Sequence, residues 1–459
     1  MVKAKTTFTF ALIRRTVCKK WPSPEGRVLK KLNWFILTCF VFGCQSSSFA
    51  ADWANWRGPN YNGTADEIGL PEKPDLKKNL IWASPLPGEA ASTPVITAGR
   101  IFLTSTDKKS SDLLALCLDA KTGILLWIQK ISEANEKISL NTMASCSPAA
   151  GPKRVYFLYA DGTAVCLDHF GNEVWKRNLV EDYGPLAVKF GYSSSPLLFN
   201  GILYIQVLRR DISYRGPERT GLDSYLLGLN PETGVTLFKQ ERPTDALDET
   251  TNAYTTPMPV KFGDQVQVIV HGADYLTGHQ AKTGKEIWRY HYDTSKDKMG
   301  RVIPTPLYEN GILYCVFIRG KRMFAFNYKQ FTAGQDPLVW GIEHQGPDMV
   351  SQVLYKGSLY SLDDRNEKTL SCLDPKTGKI RWTGQMDKSA VYYSSIAAAD
   401  DKLYLINEKG VLSVVAADPD EFKLLSTIEL GQGPVHSSIA IADRKMYVRT
   451  AETLYCFGR

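Results

Sequence analysis

The stretch "CLDAKTGILLW", residues 117–127, decides the fold, because the chain writes it repeatedly. Near copies are "CLDHFGNEVW" from Cys166, "GLNPETGVTLF" from Gly228 and "CLDPKTGKIRW" from Cys372. Each reads as a strand, a tight turn, and a second strand carrying an aromatic residue, usually Trp. The Asp or Asn before the turn can bond its own turn backbone, and the glycine supplies the positive φ that the turn needs. Working outward, each unit begins with a Ser/Thr-rich strand, often ending in Pro: "ASTPVI", "SCSPAA", "SSSPLL", "YTTPMP", "IPTPLY". A strand with an internal aromatic follows, as in "RIFLTS", "RVYFLYA", "GILYIQV" and "DKLYLIN". Alternating apolar residues between short turns predict four antiparallel strands per unit.

The aromatic positions set the period. They fall at Trp82, Trp127, Trp175, Phe238, Trp288, Trp340 and Trp382, with gaps of 45, 48, 63, 50, 52 and 42 residues. Four-stranded units of this length predict an all-β protein, an eight-bladed β-propeller. First strands are expected near 92, 145, 193, 255, 305, 351, 394 and 437. The eighth unit has only three strands. The missing one is "NLIWASPL", residues 79–86, which would close the ring from the N-terminal side and hide two exposed edges. The organisation read from this is a leader over 1–50, an extension over 51–78 and one propeller over 79–459. The column facing the aromatics holds small residues, read as Cys117, Cys166, Gly228, Gly278, Ala325, Cys372, Ala416 and Cys456. Cys here is a compact apolar filler, and equivalent positions in different blades lie too far apart to bridge, so the thiols are expected to be free.

The chain has 459 residues and a formal net charge of +7, but nine Lys/Arg and one acid lie in the first fifty. The remainder carries 46 basic and 47 acidic residues, a net of −1. That body is not biased toward nucleic acid or anionic lipid. Residues 1–50 read as an export leader: Lys30 and Lys31 precede an apolar run, Leu32 to Gly43, that is short for a bilayer span. Cleavage is expected after Ala50, in "SFA"; the second option is "VFGC", with Cys44 as a lipidated residue that would tether the protein to a membrane. The polar stretch before Val28 suggests translation starting at position 28.

"LDAKTGILLW", "AKTGKEIW" and "LDPKTGKIRW" resemble the tryptophan-docking motif of PQQ-binding-like β-propeller repeat proteins. "WANWRGPNYNG", 53–63, is similar to the segment following the signal peptide in exported bacterial members. The resemblance covers about 51–459 and implies the fold. One branch of the family comprises dehydrogenases binding pyrroloquinoline quinone (PQQ) with calcium on the axis, often beneath an adjacent Cys-Cys pair. No such pair occurs here, and the branch's calcium ligands and catalytic Asp cannot be placed on local motifs. The other branch is the non-catalytic lipoprotein scaffold of the outer-membrane β-barrel assembly machinery, which binds no quinone. The reading is a monomeric, non-catalytic envelope propeller, a protein-interaction scaffold or ligand-binding module with an envelope protein as the expected partner and no cofactor expected; a PQQ- and calcium-dependent alcohol or sugar oxidoreductase is the alternative.

Candidate binding residues lie on loops entering the innermost strands: Glu89, Asn141, Lys189, Asn252, Arg301, Asp348 and His436. Such a ring of polar groups at a channel mouth could hold an anion, a sugar or a cation. The one oversized connection, 208–223, carries Arg209, Arg210, Arg215 and Arg219, and long loops on rigid scaffolds often bind partners. His271 and His279 lack zinc spacing. No nucleophile elbow, HExxH or phosphate loop occurs, and no catalytic residue is assigned.

Overall fold

Each blade is one antiparallel sheet of four strands, and eight such sheets make the ring. The computed structural model describes residues 52–210, 221, 223–317, 322–343 and 346–459. Innermost strands begin at Val95, Ala149, Leu197, Met258, Leu307, Val353, Ala397 and Ala440, and each blade runs outward through three more strands. The eighth blade is completed from the front of the chain. Leu80–Pro85 pairs with Thr453–Phe457, placing Trp82 opposite Cys456. The Trp82 ring centroid lies 6.0 Å from that of Tyr447.

The innermost strands start about three residues later than the sequence pattern suggests, and the hydroxyl residues explain why. They bond from blade to blade rather than within a sheet. Thr93 N donates to Ser147 Oγ at 2.9 Å and Ser147 N to Ser195 Oγ at 3.0 Å. The series continues from Thr256 N to Thr305 Oγ1, Thr305 N to Ser351 Oγ, Ser351 N to Ser395 Oγ and Ser395 N to Ser438 Oγ. Ser438 N returns to Thr93 Oγ1 at 3.0 Å. Seven bonds thus form a belt around the axis. Between the third and fourth blades Gln206 takes over, its Nε2 donating to Thr255 O at 2.5 Å and Thr255 Oγ1 at 2.8 Å. Each of the seven belt bonds satisfies a buried backbone N–H that no ladder reaches.

Farther out, aromatic side chains seal the blades. The indole N–H of Trp127 donates to His169 O at 3.1 Å. Trp175, Trp340 and Trp382 donate to Pro231 O, Pro375 O and Asp418 O, each at 2.9 Å. Every acceptor belongs to the turn of the following blade. Phe238 has no N–H, and there the hydroxyl of Tyr204, on the same sheet, donates to Ala281 O at 2.8 Å. Trp288 faces a blade whose turn is replaced by the helix Tyr328–Ala333; it stacks on Phe331 at 4.3 Å and bonds Gln267 Oε1 instead. The turn glycine is required twice over. Gly234 has φ +70°, and a Cβ on it would sit 2.7 Å from the Trp175 ring. Gly123 stands in the same relation to Trp82 across the closure.

The small-residue column needs one correction. In the seventh blade it passes through Val414, not Ala416: Val414 faces Tyr404 and Ser426, whereas Ala416 faces Lys402. With Ser426 in the aromatic's place, no small partner is needed there. The six described cysteines are all buried and free.

The extension packs under the ring. Trp53 O accepts from Ile96 N, and Ala54 O from Ala150 N, both at 2.9 Å. Arg57 donates to Asn62 O and Gln352 O at 2.5 Å, and to Ile396 O at 3.4 Å. Gly63 and Ala65 bond Ala398. Residues 53–65 therefore cross from the first two blades to the sixth and seventh and floor the axial channel. Burial among carbonyls pushes the Arg57 guanidinium down to about 9.

Candidate functional site: the axial funnel

At the other end of the channel, the loops entering the innermost strands surround a cavity of about 250 Å³. All eight blades line it, and Trp56 from the crossing segment forms part of its lining. Its apolar wall includes Phe190, Tyr254, Ile303, Met349 and Tyr393. Its throat is the hydroxyl belt, represented by Ser147, Ser195, Thr256, Ser395 and Ser438.

One side of the mouth carries a run of alternating charges. Lys189 Nζ lies 2.7 Å from Glu249 Oε2, whose other oxygen lies 3.4 Å from Arg301 Nε. Arg301 Nη2 lies 3.3 Å from Asp348 Oδ2, which also meets Arg365 Nη1 at 2.8 Å. Glu249, Arg301 and Asp348 are almost fully buried. A buried charge is tolerated only when paired, and this run pairs each with opposite neighbours. Asp364 holds the loop in place: its carboxylate accepts from the backbone N–H groups of Asp348, Met349 and Val350 at 3.2, 2.6 and 2.8 Å. Burial nevertheless pushes Asp364 up to about 7.

On another side, His436 Nε2 lies 3.7 Å from Glu408 Oε1, and its ring packs 4.2 Å from that of Tyr393. Burial lowers the His436 pKa, against the pull of Glu408.

The sequence candidates thus divide. Asn141, Arg301 and His436 line the cavity. Asp348 supports Arg301 from behind. Asn252 is fully buried; its Oδ1 accepts from Lys189 N at 2.8 Å, so it orients the Lys189 loop. Glu89 is exposed and stands outside the lining. Arg209 is buried: it donates to Asp223 O, Tyr183 O and Pro185 O and stacks over Tyr225, so its guanidinium anchors the base of the oversized loop. Arg210 pairs with Asp248 at 2.5 Å. Arg215 and Arg219, like Cys44 and Ala50, lie outside the described residues. Sequence reading missed Trp56, Glu249, Arg365 and Tyr393. The tandem Trp pattern of "WANW" was the available signal for Trp56; the others follow from how neighbouring loops meet.

PQQ carries three carboxylates and pairs with calcium in the dehydrogenase branch. Here Lys189, Arg301 and Arg365 already face Glu249 or Asp348. Among the described residues, no three His, Cys, Asp or Glu side chains converge as a metal-ligand group.

The fold is similar to that of several solved proteins. BamB from Moraxella catarrhalis aligns with a TM-score of 0.57 at 11% identity, over 83% of this chain and 99% of that one. Quinohemoprotein alcohol dehydrogenase from Comamonas testosteroni gives 0.63 at 12%, over 89% and 81%. A europium-containing methanol dehydrogenase gives 0.66 at 12%, over 89% and 98%. At such identities the likeness is one of fold, and it spans BamB and alcohol dehydrogenases alike. No curated protein sequence matches the chain. The sequence model described as outer membrane protein assembly factor BamB matches residues 77–205 and 219–384, more than half of the chain, and with the repeated docking turn this makes the protein a member of that PQQ-like β-propeller family.

Proposed function

We propose that this protein is an exported, non-catalytic propeller that acts as a protein-interaction scaffold in a bacterial cell envelope, with its partner on the funnel face. The observation that carries this reading is the engagement of the mouth's charges with one another. In the run from Lys189 to Arg365 every charge is met by an opposite neighbour, the arrangement of a fixed recognition surface. Membership of a family described by an assembly factor supports the same reading. The rigid ring would present loops, and the arginine-rich connection beyond Arg210 is the one that exceeds what blade construction needs. A leader processed after Ala50 would give a soluble periplasmic form, and one processed at Cys44 a lipid-anchored one.

The test is cross-linked capture from envelope fractions with the full chain and with a variant lacking 211–220. Arg209 and Asp223 are kept, because they tie the loop base. A defined membrane-protein partner held by the intact chain and lost from the deletion supports the scaffold. Purified protein carrying quinone absorbance and dye-linked alcohol oxidation would overturn it in favour of an oxidoreductase.

A further inference from the structure

The fourth blade carries a polar cluster that the funnel does not use. Its second hairpin turns at Ala273 (φ 51°) and Asp274 (φ 64°), two residues in the left-handed region without being glycine. The turn is tied down on all sides. Thr244 Oγ1 donates to Ala273 O at 2.8 Å, and Tyr292 N to Asp274 O at 3.1 Å. Arg242 Nη2 donates to Gly272 O at 2.9 Å and Tyr275 O at 2.7 Å. This tethered turn, a two-residue hairpin of the kind also found at Asp400–Asp401 and Asp443–Arg444, leaves the Asp274 side chain 0% exposed, with neither carboxylate oxygen hydrogen-bonded.

Two more oxygen groups belong to the segment paired with this turn, because Tyr292 N bonds Asp274 O. Asp293 is 2% exposed; its Oδ1 accepts from Ser295 N at 3.0 Å, while Oδ2 has no hydrogen bond. The buried Tyr292 hydroxyl, between the two in chain order, has none either. The charges feel one another: burial first, then the Asp293 carboxylate, push Asp274 up to about 7. Neither nearby cation bonds the two carboxylates, although Arg242 Nη1 is buried without a hydrogen bond. Lys296 bonds Asp245, and Arg242 bonds backbone carbonyls and Thr277 Oγ1. Two buried carboxylates that no cation bonds among the described residues are expensive to fold. The loop that follows, residues 294–299, is partly exposed.

We propose that Asp274, Asp293 and the Tyr292 hydroxyl form a binding site for a hard divalent cation, calcium, that locks the turn of the fourth blade to the loop following it. Calcium accepts irregular sets of oxygen ligands and completes its shell with carbonyls and water, whereas magnesium demands near-octahedral geometry. With two carboxylates, the affinity belongs to the weak class, a Kd of about 10⁻⁴–10⁻³ M.

The experiment uses the full chain, stripped with chelator and titrated calorimetrically with calcium chloride or magnesium chloride, with thermal melting and terbium luminescence sensitised through Tyr292 in parallel. The expected result is one saturable calcium site, a rise in Tm on calcium addition, and weaker response to magnesium. Asp274→Asn and Asp293→Asn should each weaken calcium binding at least about tenfold. In chelator, both variants should melt no lower than the wild type, because an uncompensated charge has gone, and this separates lost binding from lost folding. The proposal is overturned by absence of heat or Tm shift up to about 10 mM calcium, ten times the weak end of the class. Unchanged binding in the double variant, or equal affinity for magnesium, overturns it too.

Discussion

Replacing Trp175 tests whether the repeated phrase is mechanical. The side chain is 8% exposed, donates to Pro231 O at 2.9 Å, and covers Gly234 in the next blade. A buried Trp covers about 150–250 Å², worth roughly 4–6 kcal/mol at about 25 cal/mol per Å². Partial burial in the unfolded chain lowers this to roughly 3–5 kcal/mol, the range seen for Trp→Ala in cores. Trp175→Ala should therefore cost about 3–5 kcal/mol. Trp175→Phe keeps most of the area and loses the hydrogen bond, so it should cost only about 1–2 kcal/mol. The third blade already makes that exchange, with Phe238 sealed by the Tyr204 hydroxyl on Ala281 O. Gly234→Ala adds the sharper test. Its Cβ would meet the Trp175 ring at 2.7 Å, so the clash should vanish in the Trp175→Ala background, leaving only the cost of φ +70°. The two substitutions should be coupled by at least about 1 kcal/mol in a double-mutant cycle. Urea unfolding followed by circular dichroism, at constant m, gives the numbers. A loss below about 1 kcal/mol for Trp175→Ala, or an equal cost of Gly234→Ala in both backgrounds, would refute the docking argument.

Two further outcomes follow from the same structure. Ser351→Ala removes the acceptor for Thr305 N at 3.0 Å and strands a buried N–H, so it should lower stability by about 1–3 kcal/mol, whereas Ser351→Thr, which keeps a hydroxyl, should cost less; urea midpoints decide this. In chelator, Asp274→Asn should flatten the pH dependence of stability. The folded Asp274 keeps its proton up to about 7 while the unfolded chain releases it near the ordinary Asp value of about 3.9. The wild type therefore loses stability relative to the variant as pH rises from about 4 to about 7, by at most about 1.4 kcal/mol per pH unit for one proton. Melting curves of the two proteins across that range measure the difference, and parallel curves would contradict it.

What the sequence by itself determined was the repeating part. Strand, turn and aromatic recur at a period of one blade, and local alternation with turn chemistry needs no distant partner to be read. Trp82 could be assigned to the last blade because its register and residue type matched a vacant strand. The hydroxyl residues were visible as a repeated pattern, yet their bonds run between blades, and only the closed ring brings Ser438 to Thr93 across 345 positions. The same holds for the funnel. Glu249 and Arg365 come from different loops and become neighbours of Arg301 and Asp348 only when adjacent blades are set side by side. Arg209 looked like surface charge in an arginine-rich loop, but carbonyls of Tyr183 and Pro185 enclose it. The buried carboxylates of Asp274 and Asp293 carried no motif at all. Periodic packing is local and leaves a trace in the chain; electrostatic neighbourhoods and desolvation belong to residues far apart in sequence, and tertiary structure alone decides them.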